Sequence, residues 1–308
     1  MRSYILIITS SFDETVDYLE NKYGCRISFY RLNVDKFDDY QFYVTNDGWK
    51  IESSFGSIYN KNIKSIYYRK PYYPDLSEYE LKYHGLIKND ITTVVNGLVD
   101  SFCGRVLSKP KVLRYGENKI NQLLYVSNKN ILFPKSYIGN TNKNFNNYFS
   151  NKKIIKPISI GRVGDGADVE LYQTNLYKDD DNGRDISLTP IYVQEYIEKK
   201  YEVRITIVGL NIYAVRIDTS NKIDWRLDYS NHKYTVIKCP KEIEDFCIQM
   251  LIDFQLEFGA FDFIVTNDNQ WYFLEVNPNG QWLWLEKILA LDISEKIIDL
   301  LDGKGEYK

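Results

Sequence analysis

Histidine is nearly absent: His84 and His232 are the only two in 308 residues. A histidine-based catalytic triad or zinc centre needs imidazole at several positions, so both are nearly excluded. Cysteine is almost as sparse. Cys25, Cys103, Cys239 and Cys247 are scattered, and no pair has the CxxC spacing of a zinc or redox motif. A chain of this length buries a core without a disulfide scaffold, and the cysteine usage fits a reducing cytoplasm. No apolar run reaches the length of a membrane span. The N-terminal "YILII" is too short for a signal-peptide core and is soon followed by Asp13 and Glu14; it reads as a first buried strand. Charge of one sign is lacking too: 39 basic against 42 acidic residues leave a formal net charge of −3. Bulk electrostatics therefore points to neither nucleic acid nor a membrane surface as partner.

What remains is the balance of a folded soluble protein, 44% hydrophobic and 26% charged, with room for two or three domains. The 27 tyrosines, beside many Asn, Lys and Ile, are attributed to genomic base composition rather than to chemistry. There are no internal repeats and no low-complexity tract.

Hydrophobic periodicity predicts an α/β (α+β) chain. Residues 1–110 alternate strands and helices: strand Tyr4–Thr9, helix Asp13–Lys22 with Asp13 as N-cap, strands near Ser28–Leu32 and Gln41–Thr45, and a turn at "NDG" into Lys50–Ser53. "SIYYRKP" is a strand stopped by Pro71, a long helix runs from Ser77 to about Cys103, and Val106–Ser108 is a short strand. A second segment, 111–190, holds a helix at Glu117–Ser127, the strand "KKIIKPISI", the Gly-rich "GRVGDGADV" and the charged loop "KDDDNGRD". A third, 191–308, is rich in strands and carries helices at about Lys241–Phe258 and Asp292–Leu301.

Within it, "FDFIVTNDNQWYFLEVN" reads as a hairpin. A two-residue turn at Asp268-Asn269, or a four-residue loop at Asn267–Gln270, places Asp262 opposite Glu275, with Asn277 on the same face. Two facing carboxylates among apolar residues repel, and a divalent cation removes the conflict. Three oxygen ligands, Asp262, Glu275 and Asn277, suit Mg²⁺, or Mn²⁺, rather than zinc. The plainer reading is an exposed face with no role.

Such a cation usually carries nucleotide phosphates as well. Gly161, Gly164 and Gly166 form a loop whose backbone N–H groups suit phosphates; the plainer reading is a long hairpin loop. Lys156 ends a strand facing that loop, and Lys119 lies early in a helix; either alone is an ordinary surface lysine. The connector in "VQEYIEKKYEVR", at Glu195, Tyr196 and Ile197, can face an adenine edge, and Glu202 can take ribose hydroxyls. Arg204 and Arg216 lie on successive strands. A three-residue turn at Gly209–Asn211 would set them opposite each other around an anion, and is preferred on that chemical ground; a two-residue turn would not.

In order and spacing, Lys119, "IIKP", the Gly-rich loop, "VQEYI", "EVR", "AVRI", "FDF" and "FLEVNPNGQW" resemble the ATP-grasp ligases over nearly the whole chain. The resemblance implies an N-terminal α/β domain followed by central and C-terminal domains that clamp ATP. "SIYYRKP", "IDTSNKIDWRLDY" and "NPNGQWLWLE" narrow it to peptide maturases of the microviridin type, the graspetide synthetases, with Lys70 standing where members often carry a second Arg. What the resemblance implies is a cytoplasmic enzyme, a homodimer by analogy, acting on a ribosomally made precursor peptide held through its leader. With ATP and Mg²⁺ it would activate Asp or Glu side chains as acyl phosphates and join them to Thr or Ser hydroxyls, or to Lys amines. Lys119 and Lys156 would hold phosphates, and Arg204 and Arg216 would stabilise the transferring phosphoryl group. Arg69, Asp224 and Arg226 would grip the acidic core peptide; an Arg226–Asp224 surface pair is the plainer alternative. Two other readings are a ligase that adds free amino acids to a peptide or protein, and a non-catalytic peptide-binding module.

Overall fold

The first sheet is built on β1 (Tyr4–Thr9), whose Ile5 to Ile8 are all buried. The structure is a computed structural model and describes residues 3–141, 148–159, 162–163, 170–171, 174–177, 186–219 and 232–304. After β1 come α1 (Glu14–Tyr23), β2 (Phe29–Asn33), β3 (Gln41–Thr45), β4 (Gly48–Ser53), β5 (Gly56–Tyr59), β6 (Ile63–Tyr68), α2 (Leu81–Ser101) and β7 (Arg105–Leu107). Strands pair in the order β2-β1-β6-β7, all parallel, while β3, β4 and β5 form a separate meander. A parallel strand covered on both faces reads as a continuous apolar run, as "YILII" does. Leu6 and Ile8 pack with Ile91, Val95 and Val99 of α2. Ile5 and Ile7 face the other way, into a cluster with Val16 and Leu19 and, from the far end of the chain, Leu285 and Ile297.

Asp13 caps α1 as expected, accepting from the Thr15 N–H. Helix α2 starts at Leu81, four residues later than the pattern suggested. The Asp75 side chain takes the Ser77 N–H, so an Asx turn competes with the helix there.

Next come α3 (Pro110–Glu117), which the pattern does not predict, and α4 (Lys119–Val126), which is the helix expected at Glu117–Ser127. Asn118 leaves helical geometry (φ −70°, ψ 111°), and its side chain accepts from the N–H groups of Ile120 and Asn121. That N-cap makes Lys119 the first residue of a helix. The middle of the chain holds β8 (Ser136–Gly139), β9 (Lys153–Lys156), the short antiparallel pair β10 (Arg162–Val163) and β11 (Glu170–Leu171), β12 (Asn175–Leu176) and β13 (Ile191–Glu195). The sheet order is β12-β9-β13-β8, antiparallel. Ile191–Glu195, grouped by pattern with the third segment, is therefore a strand of the central sheet.

The last sheet contains β14 (Tyr201–Val208), β15 (Asn211–Asp218), β16 (Lys233–Ile237), β17 (Phe258–Val265) and β18 (Trp271–Asn277), antiparallel in the order β16-β15-β14-β17-β18. Helix α5 (Lys241–Asp253) ends before Phe258, because Gln255 turns into left-handed geometry (φ 58°) and Phe258 already starts β17. Helices α6 (Leu283–Leu289) and α7 (Ile293–Leu301) follow. The two faces of this sheet have different partners. Val203, Ile205, Phe261 and Phe263 pack with Met250 and Leu251 of α5 and with Leu113 and Val126. Val208, Val215 and Phe258 turn toward α6, α7 and the first sheet. Among the described residues no helix is long and apolar enough to cross a membrane.

Candidate functional site

Asp262 lies directly opposite Glu275, and Asn277 lies opposite Ala260, so all three oxygen-bearing side chains occupy one face of the last sheet. The expected pairing is there, but by a different route. Val265 pairs with Trp271, Ile264 with Tyr272 and Phe263 with Phe273, one residue out of the expected register; a β-bulge between Phe263 and Asp262 then shifts the pairing. The loop spans five residues rather than two or four, and the bulge restores the alignment. A bulge next to a site re-aims a side chain in this way.

The facing carboxylates are not left bare. Asp262 and Arg204 are opposite each other on β17 and β14 and both are 5% exposed. Arg204 Nη1 is 3.0 Å from each carboxylate oxygen. Lys119 Nζ is 3.7 Å from Glu275 Oε2 and donates to the Pro157 carbonyl at 2.7 Å. The chain thus supplies its own counterions, and charge repulsion alone does not demand a metal. Among the described residues no group of three or more His, Cys, Asp or Glu gathers for one; the third oxygen here is the amide of Asn277, which accepts from the Asn279 N–H at 3.1 Å. What does point to a ligand is the unmet bonding. Arg204 Nε and Thr206 Oγ1 are buried with no hydrogen-bond partner on the face of Asp262. An orphaned buried donor costs roughly 1–3 kcal/mol, and an anion at this face would satisfy it. Two carboxylates, an amide oxygen and an unsatisfied guanidinium fit a hard cation bearing phosphates.

A residue outside the expected set holds Lys119 in place. Gln122, buried on α4, donates to the Val276 carbonyl at 2.8 Å and accepts from the Val276 N–H at 3.0 Å. It pairs with the edge strand β18 as another strand would, fixing the first turn of α4 over Glu275. Its partner is backbone, so no residue pattern could have signalled it. Beyond Lys119, a narrow crevice between the central sheet and β18 is lined by Lys119, Ser136, Lys156, Tyr192, Gln194 and Glu275. Gln194 donates to Ser136 Oγ and to the Tyr192 hydroxyl, and its Oε1 is buried without a partner. Lys119 and Lys156, far apart in sequence, thus line the same space.

The connector is partly used already. The Glu195 and Tyr196 N–H groups donate to the carbonyls of Lys135 and Lys152, and the Glu195 carboxylate accepts from Asn151. Glu202 is buried against Lys199 on the face of Arg204.

Two expectations are corrected. Val208 pairs with Asn211, so the turn is the two-residue Gly209-Leu210, with Gly209 at φ 58°. Arg204 then faces Val215 and Arg216 faces Val203, which puts the two guanidinium groups on opposite faces of the sheet. Arg216 sits over the Tyr201 ring and is paired with Asp218, so the two arginines do not share an anion. Arg69, expected to grip the core peptide, is engaged within the protein. It is 1% exposed and bonded to Asp13 (3.2 Å), the Tyr67 hydroxyl (3.3 Å) and Gln281 (3.3 Å). Its carbonyl accepts from the Asn279 side chain. Its work is to fasten the first sheet to the "NPNGQW" turn. Burial alone would raise the Asp13 carboxyl, but Arg69, Thr9 and the Thr15 N–H more than offset it and hold Asp13 below its ordinary value. Gly164, Gly166, Asp224 and Arg226 lie outside the described residues.

A family model of the RimK-like ATP-grasp domain matches residues 116–301. No curated protein sequence matches the chain. Among solved structures, a Chryseobacterium gregarium RiPP-associated ATP-grasp ligase, in complex with ADP and a leader and core peptide, superposes with a TM-score of 0.89 at 25% identity, covering 99% of this chain and 98% of that one. The macrocyclase MdnC of Microcystis aeruginosa MRC, bound with precursor peptide MdnA, gives 0.87 at 24% identity over 97% and 99% of the two chains. The macrocyclase MdnB of the same organism gives 0.82 at 24% identity over 97% and 99%. ATP-grasp ligases use ATP and Mg²⁺, the pair of ligands that the donor set around Asp262 fits. The family match takes in more than half of the chain and the fold agrees from end to end, and on these grounds the chain belongs to the ATP-grasp family, as a RimK-like ATP-grasp ligase.

Proposed function

We propose that this ligase acts on a ribosomally made precursor peptide, activating Asp or Glu side chains of its core and joining them to Thr or Ser hydroxyls as ω-ester macrocycles. The observation that carries the reading is the end-to-end likeness, first domain included, to a RiPP-associated ligase solved with ADP, leader and core peptide. Asp262, Glu275 and Asn277 are the oxygen donors that would hold Mg²⁺, which when bound neutralises phosphate charge. Lys119 and Lys156 present ammonium groups to the phosphates from the two sides of the crevice. Ile197 is left to read the adenine edge, since the N–H groups of Glu195 and Tyr196 are used within the central sheet. Arg204 presents its unsatisfied Nε to the transferring phosphoryl group. Arg204 and Lys119, paired with Asp262 and Glu275, keep positive charge at the face where the phosphates would lie. The peptide carboxylate attacks the γ-phosphorus and ADP leaves. A hydroxyl then attacks the acyl carbon, losing its proton, and inorganic phosphate leaves. No covalent enzyme intermediate is needed, in keeping with the scarcity of histidine; positioning and charge neutralisation carry the rate.

The RimK-like character of residues 116–301 favours a second reading, addition of free amino acids to a peptide or protein. Mass spectrometry separates the two. A candidate precursor from a neighbouring gene, incubated with ATP and Mg²⁺, loses one water per link if cyclised and gains mass if extended. Hydroxylamine reopens an ester and leaves an amide; a hydroxylamine-resistant product would replace ester with Lys-directed ω-amide formation. No ATP-dependent mass change with any precursor from the gene neighbourhood would remove the macrocyclase reading.

A further inference from the structure

A second cleft, of about 450 Å³, opens between the end of β1 with the start of α1 on one side and the start of α6 on the other. Its first-domain wall is built rather than incidental. Ser10 Oγ accepts from the Tyr72 N–H at 2.8 Å and donates to the Lys70 carbonyl at 3.1 Å, which locks Lys70-Pro71-Tyr72 onto the end of β1. The Phe12 and Tyr72 rings meet at a tilt of 56° with centroids 5.2 Å apart, and Phe12 is 61% exposed. The opposite wall carries Leu283, Trp284 and Lys287.

Lys70 is the feature that structure alone does not account for. Its side chain is half-buried and lines the cleft, yet among the described residues no carboxylate forms an ion pair with its ammonium. Of the two carboxylates that line the cleft, Asp13 is committed to Arg69 and Thr9, and Glu14 is exposed on the first turn of α1. Burial, and then the neighbouring charge of Arg69, lowers the Lys70 pKa; Asp13 and Glu117 raise it, and Arg204 pushes it down again. A cation held this way, within the field of Arg204, costs energy unless an anion arrives.

We propose that this cleft is a substrate subsite for an acidic peptide segment, with Lys70 pairing a Glu or Asp side chain and the Phe12–Tyr72 pair and Trp284 packing against an adjacent apolar or aromatic residue. This rests on the peptide-ligase reading and adds the substrate feature it selects: a carboxylate next to a bulky side chain. Lys70 is a specificity-determining residue; Lys287, exposed on the far wall, contributes a weaker attraction.

The test uses the full chain and a fluorescein-labelled synthetic peptide alternating glutamate and tyrosine, read by fluorescence anisotropy without nucleotide. Lys70→Met keeps the bulk and removes the charge; it weakens binding about tenfold or more, while Lys70→Arg stays within about threefold of the wild type, as expected for a charge-assisted pair. Replacing glutamate by glutamine in the peptide weakens binding to the wild type about tenfold and changes little for Lys70→Met. Equal binding of the glutamate peptide by wild type and Lys70→Met, no binding by the wild type, or equal binding of the two peptides by the wild type overturns the subsite. Lys70-dependent binding without any ATP-driven modification of a precursor would leave the subsite standing and remove the macrocyclase reading. Normal cyclisation of a precursor by Lys70→Met, with unchanged KM for it, would do the reverse.

Discussion

Two buried polar regions of this ligase lie close together and are built on opposite terms. At the joint between the first sheet and the last helices, the bonding groups are met. Arg69 has Asp13, Tyr67 and Gln281. Glu286, 4% exposed, accepts from the Tyr18 hydroxyl, Lys22, the Ser294 N–H and the Ser294 hydroxyl. Trp282 is fully buried, and its indole N–H reaches the Tyr67 hydroxyl at 3.3 Å. On the face of Asp262 the charges are paired but the bonding is incomplete: Arg204 Nε and Thr206 Oγ1 have no partner, nor does Gln194 Oε1 in the adjoining crevice. A satisfied network rigidifies a structure; an unsatisfied one keeps bonding capacity for something that arrives later. The first region sets the geometry that the second one uses.

That contrast can be broken experimentally. The largest effect belongs to Asp262→Ala. ADP formation is expected to fall roughly 10²–10³-fold through loss of charge stabilisation at the reacting phosphate. Stability is expected to fall by about 3–5 kcal/mol, because Arg204 is left buried and unpaired. ADP release measured by a coupled assay and a urea titration read the two effects separately, and unchanged turnover would remove the proposed metal role. Trp282→Ala should act on the other side of the contrast, costing about 3–5 kcal/mol of stability while the KM for ATP of the folded enzyme stays as it was.

Glu286→Gln comes next, destabilising by about 1–3 kcal/mol at neutral pH. Burial alone would raise the Glu286 carboxyl, yet its bonds to Ser294, Tyr18 and Lys22 hold it below the ordinary value. A depressed carboxyl stabilises the fold above its unfolded pKa, about 4.3, and that contribution fades as pH falls through the folded value. Thermal melts should therefore show wild type losing more stability than Glu286→Gln below about pH 4. Parallel curves would mean that the carboxyl is not held down. The smallest effect sharpens the comparison within one sheet. Arg216→Met should change turnover by less than about threefold and Arg204→Met by about 10²-fold or more, since only Arg204 shares the face of Asp262. Equal losses would return Arg216 to the reaction.

Much of this architecture is legible in the residue pattern, and the misses have identifiable causes. Helix α3 went unread because Pro110 looks like a breaker, although proline is well tolerated at the first helical position it occupies. The Asp262–Glu275 pairing came out right although the loop count was wrong, because the bulge compensates by one residue. At the Gly209 turn no bulge intervenes, and the same one-residue uncertainty carried Arg216 to the wrong face. Arg69 reads as a core-peptide contact because its partners Asp13 and Gln281, 56 and 212 residues away, do not show in the pattern.

The sequence by itself determined the classes of chemistry open to this chain. Scarce histidine, unpaired cysteine, a carboxylate hairpin and the spacing of Lys119, Lys156, Arg204 and Asp262 are local properties, and side-chain period and turn signals are enough to read them. The tertiary structure decided which of these groups meet. Gln122 capturing the backbone of Val276, Arg204 pairing with Asp262 and Lys70 lining a cleft against Trp284 each join segments distant in the chain. In a sheet, one residue of register moves a side chain to the opposite face, and register across distant strands is set by packing and backbone hydrogen bonds that a linear pattern does not contain.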